Sequence, residues 1–114
     1  MDWNFPKMLN AGAHLTIGSD WGAAPDPSLF DAMGGIAKTV GNGSKEKGSE
    51  MILKMMTLNG AEAVRKDKEV GSITAGKRAN FIVMDRDLSK GEFEEAQVLQ
   101  TYFEGDCVYE KDGI

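Results

Sequence analysis

Leu15-Thr16-Ile17-Gly18-Ser19-Asp20-Trp21-Gly22 is the stretch on which the reading of this chain turns. Leu15 and Ile17 alternate with His14 and Thr16, which predicts a short strand over 13–18 that stops at Gly18. A carboxylate, Asp20, follows at once, with Trp21 beside it and a Gly/Ala/Pro loop beyond. A carboxylate at the carboxyl end of a strand, opening a loop, is where α/β enzymes keep catalytic groups. The plainer alternative is an Asp that makes a local turn or cap hydrogen bond. One Asp cannot carry a reaction alone, so its partners have to be sought.

Upstream, 2–10 reads as a helix, with Met8 and Leu9 apolar, Pro6 tolerable in the first turn and Gly12 closing the end. Helix, glycine, strand is the αβ half of a βα repeat. Downstream, Asp26-Pro27 starts a second helix on which Leu29, Met33, Ile36 and Val40 recur at helical spacing. Gly34-Gly35 inside it would cost roughly 1 kcal/mol each against Ala, which predicts close packing or a break there. Residues 41–48 read as a flexible, exposed loop. That loop lacks the preceding strand and the Lys-Ser/Thr pair of a phosphate loop. Ser49 is the expected cap of a helix over 50–56 with Met51, Ile52, Met55 and Met56 on its apolar side. A short helix over 59–65 follows, capped by Thr57 or Asn59.

After the charged run Lys66-Asp67-Lys68-Glu69 the character changes. Residues 70–73 read as extended, 74–77 as a turn and Phe81-Ile82-Val83-Met84 as a buried strand. Residues 85–94 read as a polar connection; 98–103 and 107–109 flank Glu104-Gly105-Asp106 as a hairpin. The expected division is 1–68, α/β in character, and 69–114, all-β.

The totals exclude several classes. The chain has 114 residues, one small domain, with 18 acidic and 13 basic residues and a net charge of −5. That balance argues against nucleic-acid and anionic-membrane partners. No apolar run approaches the ~20 residues of a membrane span, and the first residues do not read as a signal peptide. Cys107 is the only cysteine, which favours a reducing, cytoplasmic setting and reads as an inert packed thiol. His14 is the only histidine, which excludes a self-contained zinc site of the multi-His kind. Asp85-Arg86-Asp87 lacks the glycine and distal Glu of a calcium loop.

Gly18-Ser19-Asp20, Pro25-Asp26-Pro27 and Thr57-Leu58-Asn59-Gly60-Ala61 form one set of motifs. The run from Gly71-Ser72-Ile73 through Lys77-Arg78-Ala79-Asn80 to Phe81-Ile82-Val83-Met84-Asp85 forms another, and Val98, Thr101, Gly105 and Val108-Tyr109 complete the order. Together they resemble the C-terminal part of metal-dependent amidohydrolases, most closely the imidazolonepropionase-like, "amidohydrolase 3" or exoenzyme-regulatory branch. The resemblance covers nearly the whole chain, and 71–85 is its most specific part. It implies an α/β fragment: the last βα unit or units of a (β/α)₈ barrel, followed by the C-terminal strands of a small β-sandwich. It implies that Asp20 ligates the metal and is catalytic, shuttling a proton to and from the attacking water. Trp21, Gly22, Pro25 and Asp26 would line the substrate pocket.

Asn80 stands where the family usually has Asp, with an expected effect on a structural hydrogen bond; Arg65 stands where Gly is common at a helix end. The family's His-x-His pair and its other metal ligands have no match here. A barrel of this type takes about 250 residues, so the expectation is a C-terminal piece of such an enzyme. The parent would hydrolyse C–N bonds (amide, cyclic amide or imine) of a small molecule through a metal-bound water. It would use a divalent metal, with zinc the expected one, and the piece alone would bind none and be inactive. The alternative is a stand-alone interaction or regulatory module that forms a homo-oligomer through open sheet edges.

Overall fold

A computed structural model describes residues 4–18, 29–41 and 44–113. Four helices precede a three-stranded sheet: α1 (Phe5–Asn10), α2 (Phe30–Val40), α3 (Lys45–Met56), α4 (Leu58–Ala63), β1 (Phe81–Met84), β2 (Val98–Phe103) and β3 (Asp106–Glu110). The expected caps on Asp26 and Pro27 lie outside the described residues.

Asn4 caps α1, its side chain accepting the Lys7 amide at 3.0 Å. Gly12 closes the helix in the left-handed region, φ 85°, while the amides of Gly12 and Ala13 return to the carbonyls of Leu9 and Met8. The segment 13–18 keeps the expected alternation, with Leu15 and Ile17 half-buried and His14 and Thr16 exposed. It is nevertheless not a strand. A strand needs a hydrogen-bonding neighbour, and no described strand lies beside this segment.

The core forms between α2 and α3. Met33 and Ala37 of α2 meet Ile52 and Met55 of α3, with Leu15, Ile17, Phe30 and Met56 packed around them. α3 begins earlier than its sequence suggests. Ser44, not Ser49, is the cap, accepting the Lys47 amide at 3.3 Å. Ser49 is buried inside the helix, and its hydroxyl donates to the Lys45 carbonyl at 2.7 Å. The early start brings Gly48 against α2, where a Cβ would fall on the Ala37 carbonyl oxygen. Residues 44–48, expected as flexible loop, are thus cap and helix because a glycine there permits the helix crossing. α2 runs unbroken through Gly34 and Gly35. The Glu94 carboxyl rests against Gly34, and Gly35 faces open space.

The fifth and largest core side chain arrives from far along the chain: Phe93, 1% exposed, from the connection expected to be merely polar. A 3₁₀ turn, Leu88–Lys90, precedes it, with Asp87 accepting the Ser89 amide. Gly91 (φ 92°) and Glu92 (φ 63°) then reverse the backbone and turn the ring inward.

The sheet order is β1-β2-β3, antiparallel throughout. Phe81 lies opposite Tyr102, and the rings stack with centroids 4.7 Å apart. Glu104 (φ 53°) and Gly105 (φ 86°) form the two-residue turn of the expected hairpin, both in the left-handed region that such turns need. The tip is tied to the segment before β1: Asn80 Oδ1 accepts the Glu104 amide at 2.8 Å, and Arg78 meets the Glu104 carboxylate at 2.9 Å. Asn80 therefore has the structural hydrogen-bonding role expected of it.

Two expectations are corrected here. β1 is not buried: Ile82 and Val83 are 46% and 36% exposed, because the sheet's strands pack chiefly on one another. Cys107 is an exposed free thiol, 3.3 Å from the Tyr109 carbonyl, since all of β3 faces solvent. Residues 70–73 form no strand and leave Ile73 85% exposed. The Thr74–Lys77 turn forms as expected, closed by the Lys77 amide on the Thr74 carbonyl.

Candidate functional site

Asp20, Trp21, Gly22, Pro25 and Asp26 lie outside the described residues. The structure does describe the segments on either side of them. Leu15 and Ile17 anchor the approach segment in the core, and α2 carries the chain away. α4 lies along the approach. Asn59, in its first turn, donates from Nδ2 to the Leu15 carbonyl at 3.0 Å. His14 Nε2 stands 3.3 Å from the Asn59 carbonyl oxygen and 3.3 Å from Glu62 Oε2. Both partners are acceptors, so a hydrogen bond to either needs the proton on Nε2. His14 is thereby engaged by α4.

The titration shifts lie elsewhere. The Arg86 guanidinium, and then the Gln97 amide, hold the Asp85 carboxyl below its ordinary value. The same carboxylate raises Arg86, which also meets Glu92 at 3.8 Å and Glu95 at 3.4 Å. Asp87 is lowered by the Ser89 hydroxyl and amide. These groups staple the end of β1 to the connection that carries Phe93. Each carboxylate has a local partner, which explains the shifts without a ligand.

Besides a shallow depression at Gln97, Thr101 and Lys111 on the sheet, two cavities lie against the helices. One, about 540 Å³, lies between α2, α3 and the Phe93 connection, with Lys38, Lys45 and Glu94 on its walls. The other, about 550 Å³, lies between α4 and β1 and is mostly apolar. Its polar groups are already used: Thr57 Oγ1 donates to the Leu53 carbonyl, Ser72 pairs with Thr74, and Asn80 accepts from Glu104. In the first, the Ser49 hydroxyl donates to the Lys45 carbonyl rather than to a side-chain base, and His14 lines neither cavity. Among the described residues no three His, Cys, Asp or Glu side chains converge as a metal site would need. Asn59 was visible in the sequence only as part of a motif and a candidate cap; nothing in the pattern announced its hold on Leu15.

The sequence profile of the amidohydrolase family matches residues 3–108, and the chain belongs to that family. It is 36% identical to an N-substituted formamide deformylase of Arthrobacter pascens over 94% of this chain and 21% of that protein. It is 33% identical to a 5-methylthioadenosine/S-adenosylhomocysteine deaminase of Thermoanaerobacter pseudethanolicus over 71% of this chain and 20% of that protein. The chain thus spans about a fifth of the length of these relatives. Among solved structures, an amidohydrolase from Thermotoga maritima superposes with a TM-score of 0.72 at 25% identity, over 94% of this chain and 26% of that one. A 5-methylcytosine deaminase from Klebsiella pneumoniae shares the fold, with a TM-score of 0.74 at 16% identity over 96% of this chain and 27% of that one.

Proposed function

We propose that this chain is the C-terminal part of a metal-dependent hydrolase that cleaves C–N bonds in small molecules. Residues 1–68 would end its (β/α)₈ barrel, and 69–114 would supply the C-terminal half of a small β-sandwich. The observation that carries the reading is the family match over 3–108, with relatives named as a deformylase and deaminases. The approach segment supports it: its half-buried Leu15 and Ile17 alternate with exposed residues, as on a barrel strand, and lead to Asp20.

On this reading Asp20 is a metal ligand and the group that exchanges a proton with the attacking water. Trp21, Gly22, Pro25 and Asp26 line the substrate pocket. When bound, a divalent metal such as zinc would supply Lewis acidity and a more acidic water. The donor set here is short of the four ligands of a tetrahedral site: one carboxylate at Asp20, and a histidine already engaged by α4. The reading therefore requires the remaining ligands from outside these 114 residues, and the chain alone should show no turnover. In the complete hydrolase, Asp20→Asn should abolish hydrolysis of an N-substituted formamide or a cyclic amidine while the circular dichroism spectrum stays unchanged. Undiminished turnover would remove Asp20 from the site.

One observation favours a second reading, a non-catalytic module that associates through its sheet. Ile82, Phe103, Val108 and Tyr109 are exposed, and among the described residues β1 and β3 each pair on one side only. Sedimentation of the 114-residue chain decides: a monomer at millimolar concentration rejects the module.

A further inference from the structure

Residues 86–96 form a loop whose two ends are fastened to each other. The Asp85 amide donates to the Gln97 carbonyl at 3.1 Å, and the Gln97 amide returns to Asp85 Oδ1 at 3.0 Å. With the ends closed beside the sheet, the pairing of β1 with β2 does not depend on the path taken between them. The loop is also shaped from within. Asp87 accepts from both the amide and the hydroxyl of Ser89. The Gly91 amide returns to the Leu88 carbonyl, and the Ala96 amide to the Phe93 carbonyl. Arg86, at the start, reaches Glu92 and Glu95 near the end. A loop with closed ends and its own internal contacts is a compact Ω-loop, which moves as one piece when it moves.

Its grip on the helices is of another kind. The Phe93 ring enters the core with Met33, Ala37, Ile52 and Met55, and Leu88 packs against the same cluster. Glu94 lies against Gly34, and the Lys45 stem against Gly91. Beside the ring the fit is loose: the cavity of about 540 Å³ lies between 91–95 and Ala37, Lys38 and Ser49. Sparse apolar contact at a boundary marks a segment that opens at lower cost than the whole molecule. Glu92 adds a push, because its left-handed backbone (φ 63°) is strained for a residue with a side chain and relaxes once the ring leaves.

We propose that residues 86–96 are a strap that opens as a unit from the cleft between α2 and α3. It pivots on the Asp85–Gln97 clasp, and Phe93 is its latch. When the strap lifts, the ring vacates a slot walled by apolar side chains of the two helices. Ser49, fully buried in the closed state, then meets solvent.

The test is thiol labelling of the full chain in a Cys107→Ser background. One probe is the near-isosteric Ser49→Cys, on the cavity wall; the control is Val40→Cys, buried but outside the cluster that receives Phe93. Methyl methanethiosulfonate is the reagent, labelling is read by mass, and global unfolding is read by circular dichroism, all across a urea series. Ser49→Cys should label at least about tenfold faster than global unfolding permits, as a sub-global opening requires. Its rate should vary little with urea at low concentrations, because the strap exposes little surface. Val40→Cys should follow global unfolding. Adding Phe93→Leu should speed the labelling of Ser49→Cys about tenfold, since part of the buried ring area is lost. Equal rates and equal urea dependence at the two sites would overturn the inference, because the strap would then open only with the whole molecule. Labelling of Ser49→Cys as fast as a free thiol would overturn it too, because the slot would never be closed. An unchanged rate with Phe93→Leu would remove Phe93 as the latch. If Ser49→Cys does not fold, Ala37→Cys, on the α2 wall of the same cavity, decides in its place.

Discussion

Arg65 holds φ at 59°, a left-handed backbone at the end of α4. The geometry is a helix stop: its amide returns to the Glu62 carbonyl and that of Lys66 to the Ala61 carbonyl. A side chain there costs about 1–2 kcal/mol, partly offset by the extra unfolded-state freedom of a glycine. Arg65→Gly should therefore stabilise the chain by about 0.5–1 kcal/mol in urea denaturation, and a loss of stability would contradict the cap. The Asp85 carboxyl lies below its ordinary 3.8 because Arg86, and then the Gln97 amide, favour the ionised form. A lowered folded-state pKa stabilises the fold above the unfolded value, and the gain is lost as pH falls through the folded one. Tm should fall as pH drops below 3.8, and Asp85→Asn should show a shallower fall; equal slopes would assign the acid limb elsewhere. At this scale much was legible. Arg65 and Asn80 stood out as departures from the pattern of the family that the sequence resembles. Asn59's bond to Leu15 was not, because it joins residues 44 positions apart.

Among the elements, the glycines in α2 and α3 look alike in sequence and differ in space. Gly35 faces open solvent, so Gly35→Ala should raise stability by up to ~1 kcal/mol through helix propensity. Gly48 lets the two helices cross, so Gly48→Ala should lower stability by about 1–3 kcal/mol as the Cβ meets the Ala37 carbonyl. Denaturant midpoints of the two variants should move in opposite directions; a common direction would refute the crossing. Helical spacing exposed α2 through Met33 and Val40, and Glu104-Gly105 exposed the hairpin. The start of α3 was misplaced at Ser49, although Ser44 is the same cap residue type and also precedes a glutamate. Only the packing of Gly48 chooses between them. The strand expected over 13–18 failed for a related reason: alternation specifies a face, and a ladder needs a second chain segment.

At the scale of the whole molecule, Phe93 joins what the sequence divides. It lies in Gly91-Glu92-Phe93-Glu94-Glu95, with no apolar neighbour and no period, so nothing local marked it as core. Phe93→Ala should cost about 3–5 kcal/mol. That is much of the ~5–15 kcal/mol of a typical small domain, so the helices and the sheet should melt together in one transition. Separate melting of the two parts would contradict that coupling. The candidate site is the least accessible at this scale: the sequence singles out Asp20 by its place after an alternating segment, but Asp20 lies outside the described residues, and its proposed co-ligands would belong to other sequence. Phe93 also bears on how the chain could be divided. A protease nick in the charged turn at Lys66–Glu69 would sever the backbone where the proposed domains meet, yet the ring of the second piece would remain seated between two helices of the first. The two peptides should co-elute, and, made separately, should find each other as a tenon finds its mortise.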